Sequence, residues 1–118
     1  MRYLVLTAEK PGIWAAATEG VRQTYFDAHS AFSKAVGERA TMVAGEALAE
    51  PDAATTLRRT DGRVTFTDGP FAETEEQIGG FYLLDADNLD IVTDLCALLP
   101  ASYTIEIRPV VTIEGFEG

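Results

Sequence analysis

The sequence predicts an α+β fold: a split β-α-β unit of ferredoxin-like type with a β-hairpin inserted into it. Three observations carry that reading. Runs of β-branched and aromatic residues sit at both ends and in the second half of the chain. Two segments place their apolar residues at spacings of three and four, the period of one helix face. An Asp61-Gly62 pair joins two alternating runs, and both of its positions tolerate the positive φ that tight hairpin turns need.

Taken in order, Arg2-Tyr3-Leu4-Val5-Leu6-Thr7-Ala8 is almost continuously apolar and reads as a central strand covered on both faces. Pro11-Gly12 breaks it. Val21, Tyr25, Ala28, Phe32 and Val36 then define a helix from about Thr18 to Val36. Thr18 or a neighbour would cap its start, and Gly37 would take the left-handed position after its end. Ala40 to Leu48 reads as a second strand, with a turn at Glu50-Pro51-Asp52. Thr55–Thr60 and Arg63–Thr67 form the hairpin. Gly80 to Asp85 is the next strand. Acids from Asp85 to Asp90 suit a helix N-terminus. Leu89, Val92, Cys96 and Leu99 carry the second helix, which Pro100 ends. Tyr103 to Val111 closes as an alternating strand, and Thr112 to Gly118 is weakly specified. Removing the hairpin leaves the split β-α-β order. Helices would cover one face of a mostly antiparallel sheet. The runs at Leu4–Leu6 and Tyr82–Leu84 are apolar on both sides, so a second copy is expected on the other face, as a homodimer.

A chain of 118 residues fits one domain spanning 1–118. At that size it buries roughly 65% of its unfolded surface, enough for a core without staples. With 19 acidic and 9 basic residues and a net charge of −10, nucleic acid and anionic membranes are not expected partners. Cys96 is the only cysteine, so neither an intramolecular disulfide nor a thiolate zinc site is expected, and a reducing, cytoplasmic setting follows. No signal peptide and no run of about 18 apolar residues is read.

The chemistry-bearing residues gather in one stretch, Thr67 to Phe81, and at one distant histidine. His29, the only histidine, borders the apolar helix face between Tyr25 and Phe32. It is either a half-buried residue at the core edge or a general acid/base. Asp68, before Gly69-Pro70, is a good turn former; it is also a carboxylate that a turn would hold still at a cleft, where it would orient His29. Glu46 and Glu73 are its rivals for that role. Gly79-Gly80 offers a floor without side chains and exposed N–H groups, or simply a close backbone approach. Arg108 would pair with a substrate carboxylate or bridge to Asp68 or Glu73. Phe71, with Trp14, Tyr25, Phe81 and Tyr82, would line an aromatic-friendly cleft or belong to the core. One histidine with scattered carboxylates has no metal-ligand spacing, and no Gly-x-Ser-x-Gly elbow exists, so neither a metal site nor a serine hydrolase is expected.

Asp68-Gly69-Pro70-Phe71-Ala72-Glu73-Thr74, Glu76-Gln77-Ile78-Gly79-Gly80-Phe81-Tyr82 and Arg108-Pro109-Val110 resemble the YCII-related proteins, in the subgroup named for its Asp-Gly-Pro-Phe (DGPF) motif. Glu46-Ala47-Leu48, Ala54-Thr55-Thr56 and Ala28-His29-Ser30-Ala31-Phe32 extend the likeness over nearly the whole chain. The resemblance implies a dimeric α+β barrel. It also implies a histidine–aspartate pair, here His29 with Asp68, acting without a cofactor in lyase or isomerase chemistry on a small cyclic or carboxylated molecule. Members of the subgroup occur fused or adjacent to extracytoplasmic-function sigma factors, which implies a regulatory sigma-factor partner as the alternative, reached through the acidic Glu73–Glu76 edge. Where the family often has lysine after Glu-Thr, this chain has Glu75, so Glu73, Glu75 and Glu76 form an acidic run with no cation beside them in the sequence.

Overall fold

Alternation along the first strand sets the layers of the protein. The computed structural model describes residues 1–118. In β1 (Arg2–Glu9), Tyr3, Val5 and Thr7 are buried, while Leu4, Leu6 and Ala8 between them are half-buried. Period-two geometry therefore turns the first set toward the helices and the second to the opposite face.

The elements that follow are a short helix α1 (Ile13–Ala16), a long helix α2 (Glu19–Arg39), β2 (Thr41–Ala47), a single 3₁₀ turn (Pro51–Ala53), and the hairpin strands β3 (Thr55–Thr60) and β4 (Arg63–Asp68). Then come β5 (Gln77–Asp85), α3 (Leu89–Cys96) and β6 (Thr104–Pro109). The main sheet has the order β2-β5-β1-β6 with every pair antiparallel, and β3-β4 form a sheet of their own. This is an α+β architecture of ferredoxin-like type, as the sequence predicts.

α2 is fixed at its start by Thr18, whose side chain accepts from the Val21 N–H at 3.2 Å. Glu19 in the first turn and Arg39 in the last match the helix dipole. Tyr25, Phe32 and Val36 are its buried face. The expected stop at Gly37 does not occur. The helix runs on to Arg39, Gly37 has no positive φ, and the Ala40 N–H returns to the Val36 carbonyl at 2.7 Å. Asn88, rather than the neighbouring aspartates, caps α3 by accepting from the Ile91 N–H at 3.0 Å. α3 ends at Cys96, three residues short of the expected Leu99, and Leu99 N–H bonds back to Cys96 in a tighter turn.

The core lies between α2, α3 and one sheet face, and Phe32, Val36, Val5, Leu84, Val92 and Leu95 are its fully buried side chains. Cys96 is buried with them, and burial pushes its thiol up to about 11. The sheet's other face carries half-buried Leu4, Leu6, Phe81 and Leu83, with Glu106 and Arg108 beside them in register. The hairpin turns through Asp61 and Gly62 at φ of 50° and 77°, the paired positive values its sequence calls for. Its strands are exposed, Phe66 at 67%, and its base is tied by Gly69 N–H to Ala54 (2.7 Å) and Thr56 Oγ1 to Gly69 O (2.7 Å). The molecule is correspondingly flat, about 50 × 46 × 18 Å.

Candidate functional site

His29 sits one helical turn after Tyr25 and three residues before Phe32, so the packing that buries Phe32 also points His29 along the sheet. It is only partly buried. Its Nδ1 lies 2.5 Å from the Tyr82 hydroxyl and its Nε2 2.9 Å from the Tyr103 hydroxyl. Tyr82 reaches it from the helix-facing side of β5. Tyr103 reaches it from the residue that leads into β6, with its ring packed edge-on against the imidazole at 5.6 Å.

A second cluster adjoins the first. Tyr25 donates to Glu9 Oε2 at 2.9 Å and shares a 2.6 Å hydrogen bond with Ser102 Oγ, which itself donates to Glu9 at 3.0 Å. Tyr25 and Tyr103 rings meet edge-on at 5.8 Å, so the two clusters touch. Burial lowers the His29 pKa, partly offset by the charge of Glu9. Burial raises Tyr82, and it raises Tyr103 to about 12 with help from Glu9, Tyr25 and Tyr82. Near neutrality the trio is therefore an uncharged imidazole between two protonated phenols.

His29, Tyr82, Tyr103, Tyr25 and Glu9 line a cavity of about 620 Å³. Trp14 and Phe26 form one wall, Glu46 to Pro51 another, and Gly79-Gly80 the strand beside His29. The short helix α1 puts Trp14 there. Arg22 fastens it, with Nη2 donating to the Trp14 carbonyl at 2.9 Å and the guanidinium 4.8 Å from the ring centre. Gly45 makes room for Tyr82: a Cβ at that position would fall 2.6 Å from Tyr82 Cδ1. No group of three His, Cys, Asp or Glu side chains converges in a metal-binding arrangement.

The sequence-predicted residues divide. Glu46, Gly79 and Gly80 share the cavity with His29. β5 begins at Gln77, three residues before the expected Gly80, so Gly79 and Gly80 lie inside the strand rather than at its opening. Gly80 is needed for packing, since a Cβ there would come 3.1 Å from the Glu46 carbonyl, whereas Gly79 faces open space. Asp68 and Glu73 line a separate hollow of about 430 Å³ that adjoins the cavity at Pro11, Pro51 and Gln77. Asp68 is not hydrogen-bonded to His29, because both ring nitrogens are taken by tyrosines; the carboxylate felt by His29 is Glu9. Phe71 is 79% exposed and outside the cavity, its carbonyl accepting from Arg58 at 2.8 Å. Arg108 bridges to neither Asp68 nor Glu73. It donates to Glu106 at 2.7 Å on the exposed sheet face, two residues along the same strand. The acidic run does have a cation beside it: Lys10 pairs with Glu75 at 3.0 Å, both well exposed, which makes the pair worth well under about 1 kcal/mol.

Tyr103, Glu9 and Ser102 were not singled out from the sequence. Tyr103 contacts His29 across 74 positions, and no local spacing announces a partnership made by strand order. Gly45 could be suspected only as a glycine within a strand.

An uncharged histidine clamped by phenols, in an aromatic-walled cavity on a ferredoxin-like sheet, defines the class: a small α+β protein with a ligand-sized hollow. The family model for the YCII-related domain matches residues 1–114, and the chain belongs to that family. It is also similar to the uncharacterized protein R00369 of Rhizobium meliloti (strain 1021), at 44% identity over 66 residues, which is 52% of this chain and 53% of that protein. The matched part thus spans about half the length of that relative. No helix is long and apolar enough to cross a membrane.

Proposed function

We propose that the chain is a cytoplasmic, cofactor-free enzyme of isomerase or lyase type, acting on a small cyclic or carboxylated molecule held in the His29 cavity. The observation that carries this reading is the clamping of the only imidazole by two tyrosine hydroxyls in the wall of a 620 Å³ hollow. A histidine kept neutral by burial accepts or donates a proton near pH 7 without a metal or a bound cofactor. Tyr82 and Tyr103 take the orienting role first given to Asp68, and Glu9 supplies the nearby negative charge. The Asp68-Gly69-Pro70-Phe71 run supports membership of the DGPF subgroup. In this reading the half-buried leucines of the open sheet face meet those of a second copy, giving the homodimer.

The test is ligand-observed NMR with small cyclic ketones and carboxylic acids. Compounds that bind the native protein are expected to lose binding to a folded His29→Ala variant and to keep it with Asp68→Ala. Unchanged binding to His29→Ala removes the cavity as the site. Loss in Asp68→Ala returns Asp68 to it.

A further inference from the structure

A neutral imidazole carries one N–H and one bare nitrogen. Set between two hydroxyls, it donates to one and accepts from the other. The tyrosine that accepts from the ring keeps its own O–H for the cavity. The tyrosine that donates to the ring keeps an oxygen lone pair for the cavity. Changing the tautomer exchanges these roles, and both tyrosines line the same hollow.

We infer that Tyr82, His29 and Tyr103 form a two-ended proton relay whose reaction is the tautomerisation of a conjugated cyclic carbonyl compound. This rests on the proposed function and names its substrate class and route. In one direction Tyr103 gives its O–H proton to one atom of the substrate. His29 Nε2 passes its proton to the Tyr103 oxygen, the Tyr82 proton moves to Nδ1, and Tyr82 takes a proton from a second atom of the substrate. One proton leaves the substrate and one arrives. Both phenols end protonated, the imidazole ends in its other tautomer, and no electron is gained or lost.

The geometry selects the substrate. The hydroxyls stand at opposite ends of the imidazole, so the atoms that lose and gain the proton are not neighbours. A conjugated system separates them, as in an enone exchanging a proton between its oxygen and its γ-carbon. The aromatic wall of Trp14 and Phe26 suits a flat ring. Burial holds both phenols protonated, so they carry protons rather than serve as anions.

Because His29 is the only histidine, nitrogen NMR of the imidazole reads the relay directly. The native protein is expected to show a mixture of tautomers. Tyr82→Phe leaves Nδ1 without a partner, and an unpaired N–H costs more than a bare nitrogen, so the ring should settle with its proton on Nε2. Tyr103→Phe should send it to Nδ1. The same tautomer in both variants overturns the relay. The second readout is cyclohexenone in heavy water, followed by NMR for deuterium entering the γ-carbon. Native protein should catalyse that exchange, and either Phe variant should slow it about 100-fold while still binding the enone. A native protein that binds the enone without exchanging it, or a Phe variant that exchanges it at the native rate, overturns the relay and leaves the binding cavity standing. A native protein that does not bind the enone overturns the assigned substrate class.

Discussion

The Asp68–Gln77 connector and the His29 cavity lie side by side, yet they are built in opposite ways. The connector carries the most distinctive residues of the chain and is held by local bonds. Gln77 Nε2 donates to the carbonyls of Ala72 and Thr74, both at 3.0 Å, and Lys10 meets Glu75 at the surface. The cavity draws on residues from both ends of the chain, unremarkable one by one, and joins them through hydrogen bonds spanning 53 and 74 positions. A memorable motif here marks a local shape, whereas the histidine–tyrosine arrangement is a product of the sheet.

The sharpest way to break this contrast is to remove packing on each side of it. Phe32→Ala, at a fully buried position under Tyr82, should cost about 3–5 kcal/mol in urea unfolding. Phe66→Ala on the exposed hairpin should stay within about 0.5 kcal/mol. Equal costs would mean that the hairpin is as much core as α2 is.

A smaller effect separates two glycines. Gly45→Ala should destabilise by about 1–3 kcal/mol and shift the His29 ring signals, because the new methyl displaces Tyr82. Gly79→Ala, in open space at ordinary φ, should do neither. If Gly45→Ala leaves the His29 signals unchanged, the bulge in β2 near Val43 absorbs the methyl and Gly45 does not position Tyr82.

The smallest effect is one of pH. His29 is depressed from 6.5, so the folded state binds its proton less readily than the unfolded chain. Its contribution is complete above 6.5 and is lost as pH falls from there through the folded value. Urea midpoints should therefore decline on acidification in the native protein more than in His29→Gln. Matching declines would assign the acid sensitivity to carboxylates.

Much of the fold was legible because it is periodic. Val21, Tyr25, Phe32 and Val36 announced α2, and Asp61-Gly62 announced the hairpin turn. Where the reading slipped, a tertiary contact outweighed a local preference. Gly37 is a good helix terminator, but one more turn lets Ala40 bond back to Val36 and carries the chain to β2. For the site, His29 was visible as the only imidazole on an apolar face. Its partners were not, since they depend on β5 lying beside β1 and on Tyr103 entering β6, which is register and not composition. Asp68 is likewise placed by topology: the turn after β4 belongs to the hairpin, whose base lines the neighbouring hollow, while tyrosines meet both His29 nitrogens.

Cys96 gives the molecule its own clock. A lone thiol shut inside the core, with its thiolate disfavoured, reacts with a disulfide reagent only when the α2–α3 layer parts from the sheet. Each label fixed then counts one opening. Labelling at a saturating reagent concentration reads the rate at which the native core comes apart, with no probe added and no residue changed.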